Sequence, residues 1–304
     1  MVATHKNILI TGGAGFIGFK LIIKLSKSTK KIFVIDNFST GYNKKFPKNV
    51  KLIKGNCKDY SVFKKLNRYN FDSVIHLAGV SSVEASYDNP VNDANSNIIS
   101  TLNVLKFVDE RKIKNFIYSS SMCVYGNLKE NVKETDKTIP TSFYGISKLT
   151  SEKYIRFYPL PNTTKIILRL FNVYGPGSDA KNKKHGMVSI YLNQIVENNK
   201  VIVKGKLSRF RDFIFIDDVI TIIMKCTKVR NKKINIFNVC TGKKTYVKNL
   251  IDKIFKITNK KTMIINKKGT PGDQSGIFGN NNKIKNFFKI KNIHTLNEGL
   301  KKSI

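Results

Sequence analysis

Residues 11–18 read TGGAGFIG; the apolar run NILIT (7–11) leads into them and FIGFKLIIKLSK leads out. Where a strand hands over to a helix, Gly12, Gly15 and Gly18 let the backbone turn tightly, approach a pyrophosphate and pack the helix on the sheet. The helix start then presents free N–H groups and a partial positive charge to the phosphates. A glycine pattern by itself also fits a plain tight turn. Here the next apolar run, KIFVID (31–36), ends on Asp36, 18 residues after Gly18. An acid there bonds the ribose hydroxyls of NAD and repels the 2′-phosphate of NADP, and no Arg follows it. Strand, glycine loop and acid together predict an NAD-binding βαβ unit.

Outward from this unit the alternation continues. KLIKG (51–55), SVIHLA (73–78), NFIYSS (115–120) and KIILRLF (165–171) read as strands, rich in Ile and Val and bounded by Gly, Asp or Ser. Ile17, Leu21 and Leu25 recur at helical spacing after the glycine loop, as do Ile98, Leu102, Leu105 and Val108 between the fourth and fifth strands. Another helix opens near Phe143 and stops at Pro159. Strand and helix in turn build a parallel sheet covered on both faces. Farther on, YGPGSDAKNKKHG reads as a loop, GMVSIYLNQIVENN as a helix, VIVKG as a strand, and RDFIFIDDVITIIMKCTK as a strand running into a helix. INIFNVCTG, YVKNLIDKIFKIT and TLNEGLKKSI close the pattern, with no internal repeat. The expected class is α/β: a Rossmann-type doubly wound parallel sheet over residues 1–172, and a smaller C-terminal α/β substrate lobe over 173–304, partly interwoven with it.

The composition is that of a globular chain, with 304 residues, 41% hydrophobic, 25% charged, 19 Gly and 7 Pro. It excludes a disordered, collagenous or disulfide-stapled protein. No apolar run reaches the ~18 residues of a membrane span, and MVATHKNILI lacks the features of a secretory leader. A cytoplasmic protein without membrane contact is expected. Cys57, Cys123, Cys226 and Cys240 are far apart and fit reduced thiols. His5, His185 and His294 are scattered without ligand spacing, so no metal is expected. His76 reads as a packed or hydrogen-bonded side chain, and Asp217 with Asp218 as a helix cap. The net charge of +35 raises nucleic acid as a partner. Only seven of the 55 cations are arginines, and the lysines are spread along the chain. Base-reading proteins lean on the planar fork of Arg. Attraction of an anionic small substrate, or non-specific stickiness at low salt, is the better reading.

Two further segments carry chemistry. YSSSMCVYG (118–126) follows the fifth strand, and FYGISK (143–148) opens the long helix. Tyr144 and Lys148, four apart, share a helical face. A free phenol titrates at about 10, and an ammonium one turn away, with the charge of an oxidised nicotinamide, favours the phenolate. A serine hydroxyl at the neighbouring strand end can hold a substrate hydroxyl for it. An isolated Y-x-x-x-K also describes an amphipathic helix with a core Tyr and a solvated Lys. The glycine loop and the serine-rich strand end upstream favour the chemical reading.

These segments resemble the extended short-chain dehydrogenase/reductase family, and within it the nucleotide-sugar epimerases and dehydratases of the UDP-glucose 4-epimerase type. The resemblance runs from TGGAGFIG through DNFSTG (36–41), HLAG (76–79), SSSMCVYG, YGISK, RLFNVYGPG (169–177) and RDFIFIDDV (211–219) to PGD (271–273). It implies Ser121, Tyr144 and Lys148 as the catalytic triad. It implies NAD contacts at Gly12, Gly15, Phe16, Ile17, Gly18, Asp36, Asn37, Ser39, Leu77, Ala78 and Gly79, with Tyr144 and Lys148. Asn56 and Cys57 stand where the family places an acidic adenine contact. Ser121, Asn172, Arg211, Asp273 and Ile277 fall at positions that contact the nucleotide sugar. A homodimer is implied as well.

Two departures narrow the chemistry. Dehydratases and decarboxylases of the family carry an acid just after the catalytic hydroxyl, where this chain has Met122 and Cys123. The family's diphosphate-gripping Arg-x-Gly-Asp is here Thr270, Pro271, Gly272, Asp273, so either a cation such as Lys267 or Lys268 serves instead or the diphosphate is held less tightly. The resemblance therefore implies an NAD-dependent nucleotide-sugar 4-epimerase with a UDP-linked substrate, working by transient oxidation at C4 and hydride return to the opposite face. A reductase or dehydratase of the same family is the rival; a retired member that binds RNA through its lysines is another. Ile277 stands where the family's pocket flanks the sugar's C2 substituent, which implies tolerance of N-acetylated sugars. A plain core position beneath Phe278 is the alternative.

Overall fold

The run NILIT lengthens to His5–Thr11 and forms strand β1, the fifth in a sheet of seven. The computed structural model describes residues 5–42, 45–127, 130–177, 186–198, 200–269, 271 and 274–304. Its next strands are β2 (Thr29–Asp36), β3 (Val50–Lys54), β4 (Ser73–His76), β5 (Asn115–Ser121) and β6 (Thr164–Leu170). Then follow β7 (Asn172–Tyr174), β8 (Lys200–Lys204), β9 (Phe210–Arg211), β10 (Phe213–Phe215), β11 (Ile234–Val239), β12 (Thr245–Tyr246) and β13 (Met263–Lys267). The sheet order is β11-β6-β5-β4-β1-β2-β3, with every neighbouring pair parallel. The strand order reverses between β1 and β4, which opens a crevice at their C-terminal ends.

Side chains alternate across this sheet as the pleat requires. Ile8 and Ile10 of β1 join one core with Leu21, Ile22 and Leu25 of the helix Phe16–Leu25 and with the helix Ile216–Cys226. Leu9 points the other way, into a second core with Phe63, Val104, Leu105, Val108 and Ile155. Both faces are covered, which is why the central strands read as continuous apolar runs.

The remaining strands form three pairs: β7 with β10, β8 with β13, and β9 with β12. Strand β11, made after most of these, returns to the main sheet beside β6. One expected helix is modified. Asn95–Ile99 is a π-turn, and the α-helix proper is Ser100–Glu110. The wider turn shifts the buried stripe to Asn97, Thr101, Val104, Leu105 and Val108, leaving Ile98 and Leu102 half-buried. The helices Val83–Asp88 and Pro90–Ala94 lie outside the sequence reading, although Asn89 capping a helix with Pro at its start is a legible signal. All four cysteines are free and buried. Among the described residues no helix is long and apolar enough to cross a membrane.

Candidate functional site

At the crevice the glycines act as predicted from their lack of a side chain. Gly12 has φ +73°, and a Cβ there would stand 2.7 Å from the Ala78 nitrogen. A Cβ on Gly18 would stand 2.3 Å from the Gly12 carbonyl, so loop and helix touch backbone to backbone. The helix begins after Gly15 with no side-chain cap and no acid in its first turn, leaving the N–H groups around Phe16 and Ile17 open to an anion. Asp36 closes the cradle: one carboxylate oxygen accepts from Ala14 N at 2.8 Å and the other from Phe38 N at 2.8 Å. Leu77 N donates to Thr11 O at 3.1 Å and Ala78 N to Thr11 Oγ1 at 3.3 Å, which sets 77–79 along the loop. Asn37 and Ser39 are exposed in the turn after β2, with Ser39 N donating to Asn37 Oδ1 at 3.0 Å. Asn56 Oδ1 accepts from Lys58 N at 3.1 Å, and the Cys57 thiol is buried and pushed up to about 12 by burial, with the Asp36 charge adding to it. Bare backbone, an uncapped helix start and an acid at the end of β2 fit the pyrophosphate and ribose of a dinucleotide.

His76 braces this cradle from beneath. Its ring bonds Thr11 Oγ1 at 2.6 Å and Thr101 Oγ1 at 3.2 Å, and burial, with the Lys148 charge second, lowers it to about 3. It is a neutral, fully paired core histidine.

The end of β5 meets the helix Phe143–Phe157, whose start is capped by Ser142 Oγ accepting from Gly145 N at 3.1 Å. Ser121, Tyr144 and Lys148 come together there, all buried. The Ser121 hydroxyl faces the Tyr144 phenol and accepts from Cys123 N at 3.2 Å. Burial, with the Cys123 thiol second, pushes the phenol far up, and the Ser121 hydroxyl pulls it back. Lys148 Nζ donates to Ser119 O at 3.0 Å and lies 5.9 Å from the Tyr144 ring centre. Burial lowers its ammonium to about 8 against the pull of Asp93 and Glu152. Phenol and ammonium are thus both driven toward neutrality in the chain alone, and a further positive charge is needed to favour the phenolate.

Asp93, Asn97 and Glu152 surround this centre without having been singled out in the sequence. Asn97 Nδ2 donates to Asp93 Oδ1 at 3.0 Å and to Ser147 Oγ at 3.1 Å. Glu152, one turn beyond Lys148, takes a bidentate ion pair from Arg169. Its place four residues after Lys148 is the one signal the sequence offers.

On the substrate side, Asn172 Nδ2 donates to Asp212 O at 2.9 Å and lies 3.5 Å from Met122 Sδ. Arg211 donates to Phe210 O at 2.9 Å and to Gln274 O at 2.6 Å. Burial, with the neighbouring Arg209 charge second, lowers its guanidinium to about 10. Two cations held this close suit a diphosphate. Ile277 is fully buried in one apolar cluster with Met122, Cys123, Tyr144 and Phe171, so it touches the wall of the site. Asp273, Thr270, Gly272 and the run 181–185 lie outside the described residues. Asp217 and Asp218 stand in the first turn of their helix, where they suit its dipole, but neither caps it; Asp217 pairs with Lys20 at 3.6 Å and Asp218 with His294 at 2.9 Å. Among the described residues no three His, Cys, Asp or Glu side chains are grouped to hold a metal.

A model of the NAD dependent epimerase/dehydratase family matches residues 8–240. A putative UDP-glucose 4-epimerase of Methanocaldococcus jannaschii is 33% identical over 248 residues, covering 81% of this chain and 80% of that protein. A dTDP-4-dehydro-6-deoxyglucose reductase of Escherichia coli is 30% identical over 278 residues, covering 87% and 85%. Among solved structures, a UDP-glucose 4-epimerase of Thermotoga maritima with UDP-glucose superposes with a TM-score of 0.92 at 30% identity, covering 98% of this chain and 97% of that one. A UDP-N-acetylglucosamine 4-epimerase of Methanobrevibacter ruminantium, in complex with UDP-N-acetylmuramic acid, gives 0.89 at 25% identity, covering 100% and 97%.

Proposed function

We propose, on the premise that the chain belongs to the NAD-dependent epimerase/dehydratase family, that it is a 4-epimerase of UDP-linked sugars. The observation that carries this reading is the buried Ser121 and Tyr144 side chains set together beside Lys148, with no carboxylate at positions 122 and 123. NAD would be held by the glycine loop and first-turn N–H groups at its phosphates and by Asp36 at a ribose, with Asn37, Ser39, Asn56, Cys57 and residues 77–79 around it. When bound, NAD supplies the acceptor for a C4 hydride and the means of returning it.

The chain's own residues handle the proton. Tyr144 takes it from the sugar's 4-hydroxyl, Ser121 holds the same oxygen, and Lys148 stabilises the phenolate from one turn away. Asn172 and Arg211 hold the nucleoside diphosphate. Met122 and Cys123 offer no carboxylic acid to drive an elimination, which favours epimerisation over dehydration. The relation to the Thermotoga maritima epimerase supports the same substrate class. Incubation with a panel of UDP-sugars, read at C4 by proton NMR, tests the reading. Inversion without net change in NADH supports it; net consumption of supplied NADH, or a product that has lost water, shows a reductase or dehydratase instead.

The protein is further proposed to be a cytoplasmic homodimer. Phe143, Ile146, Tyr154 and Phe157 are exposed along one face of the helix that carries Tyr144 on its buried face, and Phe157 is 85% exposed. A second copy would cover such a stripe. Sedimentation velocity of the native protein and of Phe157→Asp checks this: a monomeric native protein removes the dimer.

A further inference from the structure

Three successive serines tie the end of β5 to the helix Phe143–Phe157. Ser119 O accepts from Lys148 Nζ at 3.0 Å, Ser120 Oγ donates to Glu152 Oε1 at 2.5 Å, and the Ser121 hydroxyl faces the Tyr144 phenol. Tyr144, Lys148 and Glu152 are spaced by four and stack on one helical face. Glu152 is 1% exposed and is gripped from β6 by Arg169, whose Nε and Nη2 donate to its two oxygens at 3.0 and 2.8 Å. Arg169 Nη1 continues to the Tyr125 hydroxyl at 2.9 Å, and that hydroxyl donates to Asn238 Oδ1 of β11 at 2.6 Å.

An ion pair this deep gains little over apolar residues of equal volume, because both charges have left water. What it does provide is a fixed plane and a fixed distance. We propose that Glu152 is a positioning residue for the reaction: clamped by Arg169, it fixes Ser121 against Tyr144 through Ser120 and stands one helical turn from Lys148. The inference rests on the epimerase reading of Ser121, Tyr144 and Lys148.

The groups facing Lys148 are Asp93 from the helix Pro90–Ala94, His76 of β4, Tyr118 of β5 with its ring centre 4.9 Å from Nζ, and Tyr144 and Glu152 on its own helix. Among the described residues, only Asp93 and Glu152 carry a charge that favours the ammonium. Loss of the Glu152 charge therefore lowers the pH at which Lys148 gives up its proton.

Two variants separate the effects. Ser120→Ala cuts the staple and leaves both charges; Glu152→Gln combined with Arg169→Met removes both charges and strands neither. Each is measured for kcat and KM across pH with the UDP-sugar. Each is also labelled with ε-13C-lysine, and the Lys148 resonance is identified by its loss in Lys148→Met. Ser120→Ala is expected to lower kcat ~10-fold with KM within ~2-fold, since small misplacements of reacting groups cost rate more than binding. The paired variant is expected to lower kcat as well and to move the Lys148 midpoint down by about one unit. Native kcat in Ser120→Ala, or a native Lys148 midpoint in the folded paired variant, overturns the proposal. Should the pair not fold, Ser120→Ala decides alone by the same criterion. If the native protein inverts no sugar while the Lys148 midpoint still moves, the epimerase reading falls and the hold of Glu152 on Lys148 stands.

Discussion

Burial holds the Tyr144 phenol protonated, so the group that takes the substrate's proton must be ionised by its surroundings at the moment of use. Tyr144→Phe removes that group and keeps the ring in its cluster. Its kcat should fall by at least ~10²-fold with NAD affinity little changed by calorimetry; near-normal turnover would refute the assignment. Asp36 has both oxygens engaged by loop backbone, so Asp36→Ala loosens the cradle as well as removing the ribose partner. NAD binding should weaken by about 1–3 kcal/mol and the gap to NADP should narrow; a native preference for NADP would contradict the role. Ile277→Tyr forces a ring into a filled cluster, at a cost of about 1–3 kcal/mol in stability. Its kcat/KM should shift from UDP-N-acetylglucosamine toward UDP-glucose, and an unmoved ratio removes Ile277 from the gate. Asp36, Tyr144 and Lys148 were readable because each acts at a fixed spacing from a local signal. Glu152, Asn97 and Arg169 were not, because what they do depends on partners that only the fold brings near.

At the level of elements, the glycine loop shows how little slack the crevice has. Gly18→Ala puts a methyl group against the Gly12 carbonyl, so the helix must move off the loop or the loop must open. We expect Tm to fall and NAD affinity to drop at least ~10-fold, since both the packing and the aim of the N–H groups are lost; native affinity would show that the loop adapts. Six of the seven strands of the main sheet were legible to within a residue or two from their apolar runs and turn residues; β11 was not assigned. The stripe on the helix before β5 was not, because a π-turn leaves no mark in a 3.6-residue period and displaces every position counted through it. Val83–Asp88 escaped notice for a different reason: its face is mostly polar, and hydrophobic periodicity is silent there.

Across the whole molecule the balance of protons matters, since the chain already carries +35. His76 stays neutral in the fold down to about 3, whereas in the unfolded chain it charges near ~6.5. The unfolded state binds the extra proton between those values. This stability is therefore fully present above pH ~6.5 and lost as pH falls toward 3, by ~1.4 kcal/mol per unit. Denaturant midpoints across that window should show a shallower acid decline in His76→Gln than in the native protein; equal slopes would mean that His76 does not stay neutral. The sheet has a consequence in time as well. β11 pairs with β6, yet residues 171–233 lie between them. While the chain is being synthesised, β6 is an open edge from the moment it emerges until residue 239 has followed it. A nascent polypeptide halted in that interval holds the glycine loop, Tyr144 and Lys148, but has an unpaired strand and half-covered apolar faces for neighbouring chains to find. Folding in the order of synthesis is thus completed late, when β11 is available to close the β6 edge.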